Sequence, residues 1–404
     1  MKIALIGQKG LPAWHGGVER HVEQLSLRLA RLGHTVDVYS RTWYSKTKDK
    51  MVDGVNLIHA PSIKSKHLDT ITHTFLATLK ACKSRPDIIH FHGVGPALLS
   101  WLPRILARQT KVVVTFHSID RYHKKWNKIA RYFLRLGEYA ACAFPNQTIT
   151  ISQSLQEYCR NEFYKETAYI PNGVTINPQP TDPKLLAPFN LEPKKYITMI
   201  SRLVPHKGTH ILIDAFLELK KSGGANEKIK DLKLAIVGGS ARTDKYVAEL
   251  TAQAKNHPDI IFTDTQSGPT LASLYGQALA LVHPSFNEGL PTTVIEAMSY
   301  GTPVIVSQIP EHRELITDPR LLFMVNDVPS LTTRLQEFLQ MSENDRQSVI
   351  AKNLESVAQK YDWDELVKQV ENVYKLLLSP TISSNPSKST SSDDTSIPGL
   401  SRVA

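Results

Sequence analysis

Residues 2–40 read KIALIGQKGLPAWHGGVERHVEQLSLRLARLGHTVDVYS. The apolar run KIALI breaks at Gly7, and a loop carrying Gly7, Gly10, Gly16 and Gly17 follows. Apolar residues then recur at helical spacing from about Glu19 to Leu32, and HTVDVYS returns to a β-branched run. Strand, glycine loop, helix, strand is one crossover unit of a parallel sheet. The alternation continues through DIIHFHG (87–93), KVVVTFHS (111–118) and TITIS (148–152), and a second set follows: YITMIS (196–201), LKLAIVGG (232–239), IIFTD (260–264), ALALVHPS (278–285) and PVIVS (303–307). Runs such as VVVTF and LAIVG are continuously apolar, as strands covered on both faces are. The sequence therefore predicts an α/β protein with two parallel sheets.

The proline-rich stretch 171–195 separates the two sets, which places a domain boundary near residue 190 and gives units 1–190 and 191–360. In WDELVKQVENVYKLLL (363–378), Leu366, Val367, Val370, Val373, Tyr374 and Leu377 fall on one helical face, and Asp362 stands where an N-cap belongs. The Asp-Trp-Asp at 362–364 has the form of a metal-binding D-x-D, but its place at a helix start makes capping the better reading. Residues 379–404 are dominated by Ser, Thr, Pro and Asp and are expected to be disordered.

The 404 residues, 41% hydrophobic and 21% charged, suffice for two or three domains. Three cysteines without C-x-x-C spacing argue against a disulfide scaffold and for a reducing compartment. MKIALIGQKG lacks the apolar core of a signal peptide, and runs such as 211–219 are broken by Asp214 and Glu218, so a cytoplasmic protein with no membrane span is expected. The formal charge of +10 is uneven. Residues 1–190 hold 26 Lys+Arg against 13 Asp+Glu, and residues 191–404 hold 22 against 25. A basic first unit favours anionic partners, whether phosphorylated substrates, anionic lipid or nucleic acid.

The most informative stretch is HPSFNEGLPTTVIEAMSYGTPVIVS (283–307). Glu288 in a turn and Glu296 about two turns inside the following helix can both face a ligand laid over the helix N-terminus, where the Gly289 and Leu290 amides would meet phosphate oxygens. A sugar nucleotide needs such acceptors for hydroxyls and donors for its diphosphate. This string resembles the signature of the retaining glycosyltransferases of family 4, and the resemblance extends over almost all of residues 1–378. It implies the GT-B fold, two Rossmann-like domains facing across a cleft, with the final helix crossing back onto the first.

The resemblance implies that Glu288 binds hydroxyls of the donor sugar and Glu296 the ribose; otherwise both are solvated glutamates. In SRLVPHKG (201–208), two cations at a strand end can neutralise a departing diphosphate. Matching Arg and Lys residues in the family have that role, which assigns Arg202 and Lys207 to the leaving group and makes a metal cofactor unnecessary. The Gly16-Gly17 pair is implied to face the donor phosphates. The loop lacks the G-x-G-x-x-G spacing, which disfavours a nicotinamide enzyme. His117 matches a family histidine beside the transferred sugar. His90 and His92 share a strand face but find no third metal ligand by spacing, so no metal is expected. Asn172 and Gly173 match a hinge pattern and are read as structural.

RYHKKWNKIARYFLR (121–135) interleaves cations with aromatic groups. It fits an acceptor or an anionic membrane surface, with Asp120, Arg121, Lys124, Lys125 and Trp126 as the residues named for that side. The opening GQKGLPAWHGGVE (7–19) resembles bacterial members linked to rhamnose or related sugars in surface polysaccharides. Thr263–Ser267 (TDTQS) departs from the family pattern, in which a glycine follows the strand. The expected activity is sugar transfer, with retention, from a nucleotide sugar to a saccharide or lipid-linked hydroxyl, and not nucleic-acid binding. The alternatives are a GT-B sugar-nucleotide epimerase or phosphorylase, and a basic module for anionic polymers.

Overall fold

The computed structural model describes residues 1–379 except 15, 45–49, 66–67, 123–126, 177–179 and 224–225. Two sheets carry the architecture. The first is built from β1 (Lys2–Ile6), β2 (Thr35–Arg41), β3 (Met51–Val52), β4 (Val55–Ala60), β5 (Ile88–His92), β6 (Lys111–Phe116), β7 (Gln147–Thr150) and β8 (Ala168–Tyr169), in the order β3-β4-β2-β1-β5-β6-β7-β8. The second comprises β9 (Tyr196–Ile200), β10 (Lys233–Val237), β11 (Ile260–Phe262), β12 (Ala280–His283), β13 (Val304–Ser307) and β14 (Leu322–Phe323), in the order β11-β10-β9-β12-β13-β14. All pairings are parallel except β3 with β4. β9, β12 and β13 are buried along their whole length, which explains why they lack a polar alternation.

Among the parallel strands of each sheet the order reverses once, between β1 and β5 and between β9 and β12. At such a switch point the loops leaving adjacent strands diverge to opposite faces and open a crevice at the strand C-termini. This determines where the site lies. The loop after β1 and the end of β5 flank one crevice; the loops after β9 and β12 flank the other.

The chain crosses between the sheets twice, and the crossings pair: the Val174 amide donates to the Tyr361 carbonyl (2.8 Å) and the Trp363 amide to the Val174 carbonyl (3.3 Å). The first crossing comes earlier than the prolines suggest. Pro183–Phe189, assigned to the first unit by a boundary at 190, forms a 3₁₀ turn against helix Gly268–Gly276 of the second, where the Asp182 amide donates to Ser273. After the second crossing, helix Trp363–Leu378 buries Trp363, Leu366, Val367, Val370 and Tyr374 in the core of the first unit with Val22, Leu25 and Leu29. Asp362 caps this helix by accepting from the Asp364 amide, and Asp364 pairs with Arg28. Tyr374 donates its hydroxyl proton to, or accepts from, His90 Nδ1 at 2.6 Å. Of the Ser/Thr/Pro-rich tail 379–404, residues 380–404 lie outside the described residues.

Candidate active site

The first helix runs Gly17–Arg31, starting two residues before Glu19. Gly16 precedes it with φ 108°, a conformation that a side chain would strain, while a Cβ on Gly17 would meet nothing within 4 Å. Gly17 therefore opens onto a cavity of about 340 Å³ between the two units. Gly17, Arg20 and His21 line it from the first unit, Thr292, Glu296 and Tyr300 from the second, and Asn172 and Trp363 from the crossings.

Glu296 is the fifth residue of helix Thr292–Ser299, one turn inside rather than two. Its Oε1 meets Arg20 Nη1 at 2.9 Å across the cavity, and its Oε2 accepts from the Tyr275 hydroxyl at 2.7 Å. Glu296 raises the pKa of Arg20 further above its ordinary range, against the opposing effect of burial. The Tyr275 ring stacks on Tyr300 at 5.6 Å, and burial followed by the neighbouring Glu296 keeps its hydroxyl protonated.

Glu288 and Lys207 are not on the cavity wall but beside it, bonded to each other: Nζ to Oε1 is 2.5 Å, with side chains 13% and 10% exposed. His283 Nε2 reaches the same oxygen at 2.9 Å. Burial would raise the Glu288 pKa, but the Lys207 cation and His283 outweigh it and hold the carboxyl well below the usual range. Gly289 then passes against the first unit so closely that a Cβ there would stand 1.9 Å from the His117 carbonyl oxygen. Leu290 turns its side chain into the core, and the Gly289 and Leu290 amides donate to no described acceptor. Arg202 is exposed and pairs with no described acid.

His117 belongs to a cluster. Its Nε2 lies 3.3 Å from His92 Nδ1, its ring meets His21 edge-on at 4.8 Å, and His21 Nδ1 is 2.7 Å from Asn172 Oδ1. Burial lowers all three pKa values, His21 to about 4 and the other two well below the ordinary imidazole value. The trio is neutral at pH 7. One nitrogen from each of His21, His92 and His117 lies within 4.8 Å of the others, a spacing that could hold a metal ion, whereas His90, which shares a strand face with His92, meets Tyr374 and Thr115 instead.

The structure corrects one assignment. Arg121 does not serve an outer acceptor or membrane face: its guanidinium turns inward, 3.1 Å from the fully buried Glu138 and 3.0 Å from the Tyr158 hydroxyl. A buried carboxylate needs a cation more than a surface does. Asp120 accepts from Ser118 Oγ at 2.7 Å in a 3₁₀ turn, while Lys124, Lys125 and Trp126 lie outside the described residues. Gly173 packs on the Trp363 ring, where a Cβ would come within 2.8 Å. The departure at TDTQS leaves the turn intact: Asp264 takes φ 56°, the left-handed region that Asp tolerates better than most residues.

The family description "Glycosyltransferase Family 4" matches residues 15–177, and "Glycosyl transferases group 1" matches residues 184–357. The chain belongs to the family 4 glycosyltransferases. This glycosyltransferase is 26% identical to an uncharacterized glycosyltransferase of Methanocaldococcus jannaschii, over 94% of its own chain and 99% of the relative. It is 24% identical to the phosphatidyl-myo-inositol mannosyltransferase of Mycolicibacterium smegmatis, over 94% and 95%. Among solved structures, the fold of this transferase resembles sucrose-phosphate synthase of Thermosynechococcus elongatus (TM-score 0.76, 21% identity, 93% and 98% covered). It also resembles Anabaena HepE in complex with UDP and glucose (TM-score 0.74, 19% identity, 93% and 100% covered). The enzyme has the GT-B fold.

Arg20, His21, Tyr275 and Tyr300 were not singled out by the sequence. A local signal existed only for the first two, which stand one turn into the helix that the glycine loop opens.

Proposed function

We propose that this glycosyltransferase moves a sugar from a nucleotide-sugar donor to a hydroxyl of a saccharide or lipid-linked acceptor, with retention of configuration, in polysaccharide or glycolipid synthesis. One observation carries the reading. At the two facing switch points the chain gathers an open-faced glycine, two undonated amides, an ionised carboxylate bonded to a lysine, and a second carboxylate across the cavity.

The parts suit a nucleotide sugar. Gly17 lets a diphosphate approach the first helix, and the Gly289 and Leu290 amides with Lys207 and Arg202 supply positive charge where the phosphate leaves. Glu288 keeps one oxygen on Lys207 and offers the other to sugar hydroxyls, while Glu296 can exchange a partner for ribose. Neutral His117 can share a hydrogen bond with the donor sugar without competing for the diphosphate. The acceptor oxygen forms its bond to the anomeric carbon as the phosphate oxygen leaves from the same face, and the hydroxyl proton passes to that phosphate oxygen. The cations stabilise the leaving charge, so the proposed chemistry needs no metal cofactor. Several relatives are named mannosyltransferases, and solved neighbours hold UDP.

The test is a screen of UDP-glucose, GDP-mannose and dTDP-rhamnose for nucleoside diphosphate release with and without saccharide acceptors, followed by NMR of the product's anomeric configuration. Acceptor-dependent release with a retained anomer supports the proposal. An inverted product, or epimerisation from donor alone, overturns it.

A further inference from the structure

Helix Lys128–Ala143 buries one face, with Gly137, Glu138, Ala141 and Cys142 turned inward. Its outward surface is not uniformly polar. Ile129, Tyr132, Phe133 and Tyr139 project outward, 69%, 63%, 53% and 54% exposed, and at 100° per residue they fall on one continuous arc. Beside its C-terminal end lies the short helix Leu102–Leu106, held by Arg104 on the Asn146 side chain and by Ser100 on the Ala140 carbonyl, with Ile105 and Leu106 also exposed. Contiguous exposed apolar surface of this kind marks a contact site.

The charges decide what it contacts. Lys128 and Arg131 on the first helix, Arg104 on the second and Arg108 just beyond it are exposed and carry no described ion pair. The carboxylates of this region, Glu138 and Glu162, are already taken by Arg135. A second copy would bring the same cations face to face, in a unit where Lys and Arg outnumber Asp and Glu 26 to 13. A surface of aromatic and aliphatic groups rimmed by cations with no described acidic partner matches the headgroup boundary of an anionic bilayer, in which rings sit among the headgroups and cations meet phosphates. No described helix is long and apolar enough to cross a membrane, so contact would be peripheral. We propose that the outer face of helix Lys128–Ala143, with the adjoining helix Leu102–Leu106, docks the protein on an anionic lipid surface. This does not depend on the transfer reaction, and neither donor turnover nor its absence bears on it.

The full chain is floated with phosphatidylcholine vesicles with and without phosphatidylglycerol. Binding to the anionic vesicles only is expected, weakening as salt rises. Ile129→Ser with Tyr132→Ser should abolish it, and Lys128→Ala with Arg131→Ala should weaken it about 30-fold, at about fivefold per charge near the surface. All four positions are exposed, so melting temperatures should not change. Failure to float with anionic vesicles overturns the proposal, as does binding that survives Ile129→Ser with Tyr132→Ser. A concentration-dependent dimer lost in that variant, without vesicle binding, would give the face to a second copy instead.

Discussion

Replacing Lys207 by methionine keeps the length and apolar stem of the side chain and removes only the cation from Glu288 Oε1, 2.5 Å away. Both partners are about nine-tenths buried, so the remaining carboxylate is left as an uncompensated buried charge, at about 3–5 kcal/mol. The His283 hydrogen bond persists and returns about 1 kcal/mol, leaving a loss of about 2–4 kcal/mol. For a unit of this size that is a fall of roughly 5–15 °C in melting temperature. Adding Glu288→Gln neutralises the orphan and should recover most of the loss, with both variants inactive in transfer. The pH dependence gives an independent check. In the parent protein the Glu288 pKa is depressed, so its contribution is fully present above the unfolded carboxylate pKa and is lost only as pH falls through the folded value. In Lys207→Met burial dominates and raises that pKa, so the variant regains stability as pH drops from 7 towards 5. Thermal melts of the parent, both single variants and the double variant at pH 7 and pH 5 decide the matter. A single variant that melts with the parent at pH 7, or a double variant no better than Lys207→Met, refutes the buried pair.

Gly289→Ala places a methyl 1.9 Å from the His117 carbonyl oxygen, and because that atom is backbone the units must separate. Transfer should fall about 100-fold, as a displacement of about an ångström can cause, with each unit still folded by circular dichroism; a normal rate would show that the contact is not formed in turnover. Dialysis against EDTA should leave transfer unchanged. A tenfold loss restored by Zn²⁺ or Mn²⁺ would instead make His21, His92 and His117 metal ligands. Acid should destabilise the protein before its carboxylates titrate. His21, with its folded pKa lowered to about 4, binds its proton only on unfolding, so stability falls between pH 6.5 and 4, by on the order of 3 kcal/mol for such a group. Melts across that range on the parent and His21→Gln measure it, and identical slopes would show that His21 is not the source.

What the sequence made legible, and what it hid, divides along a physical line. Strands with continuous apolar runs could be read because burial on both faces leaves no room for polar residues. β4 was missed because its half-buried positions admit Asn56 and His59, and β3, β8 and β14 because two residues carry no period. In the candidate site, Glu288, Glu296 and Lys207 could be singled out because each sits in a local string whose turn and helix start are fixed by neighbours in the chain. Arg121 was misplaced for the converse reason: its partner Glu138 stands 17 residues on, in a helix whose inward face the linear charge pattern does not reveal. The partners of the two glutamates follow the same division. Glu288 meets Lys207 and His283 within one unit and near one switch point, whereas Glu296 meets Arg20 only because two crossings bring separate sheets together. A contact made by closure has no period and no spacing, since nothing in the intervening 275 positions must be shaped to allow it beyond the paired crossings at Val174 and Tyr361. The residues that stand together within one unit are therefore readable from the chain, and the residues that meet across the cavity become readable only in three dimensions.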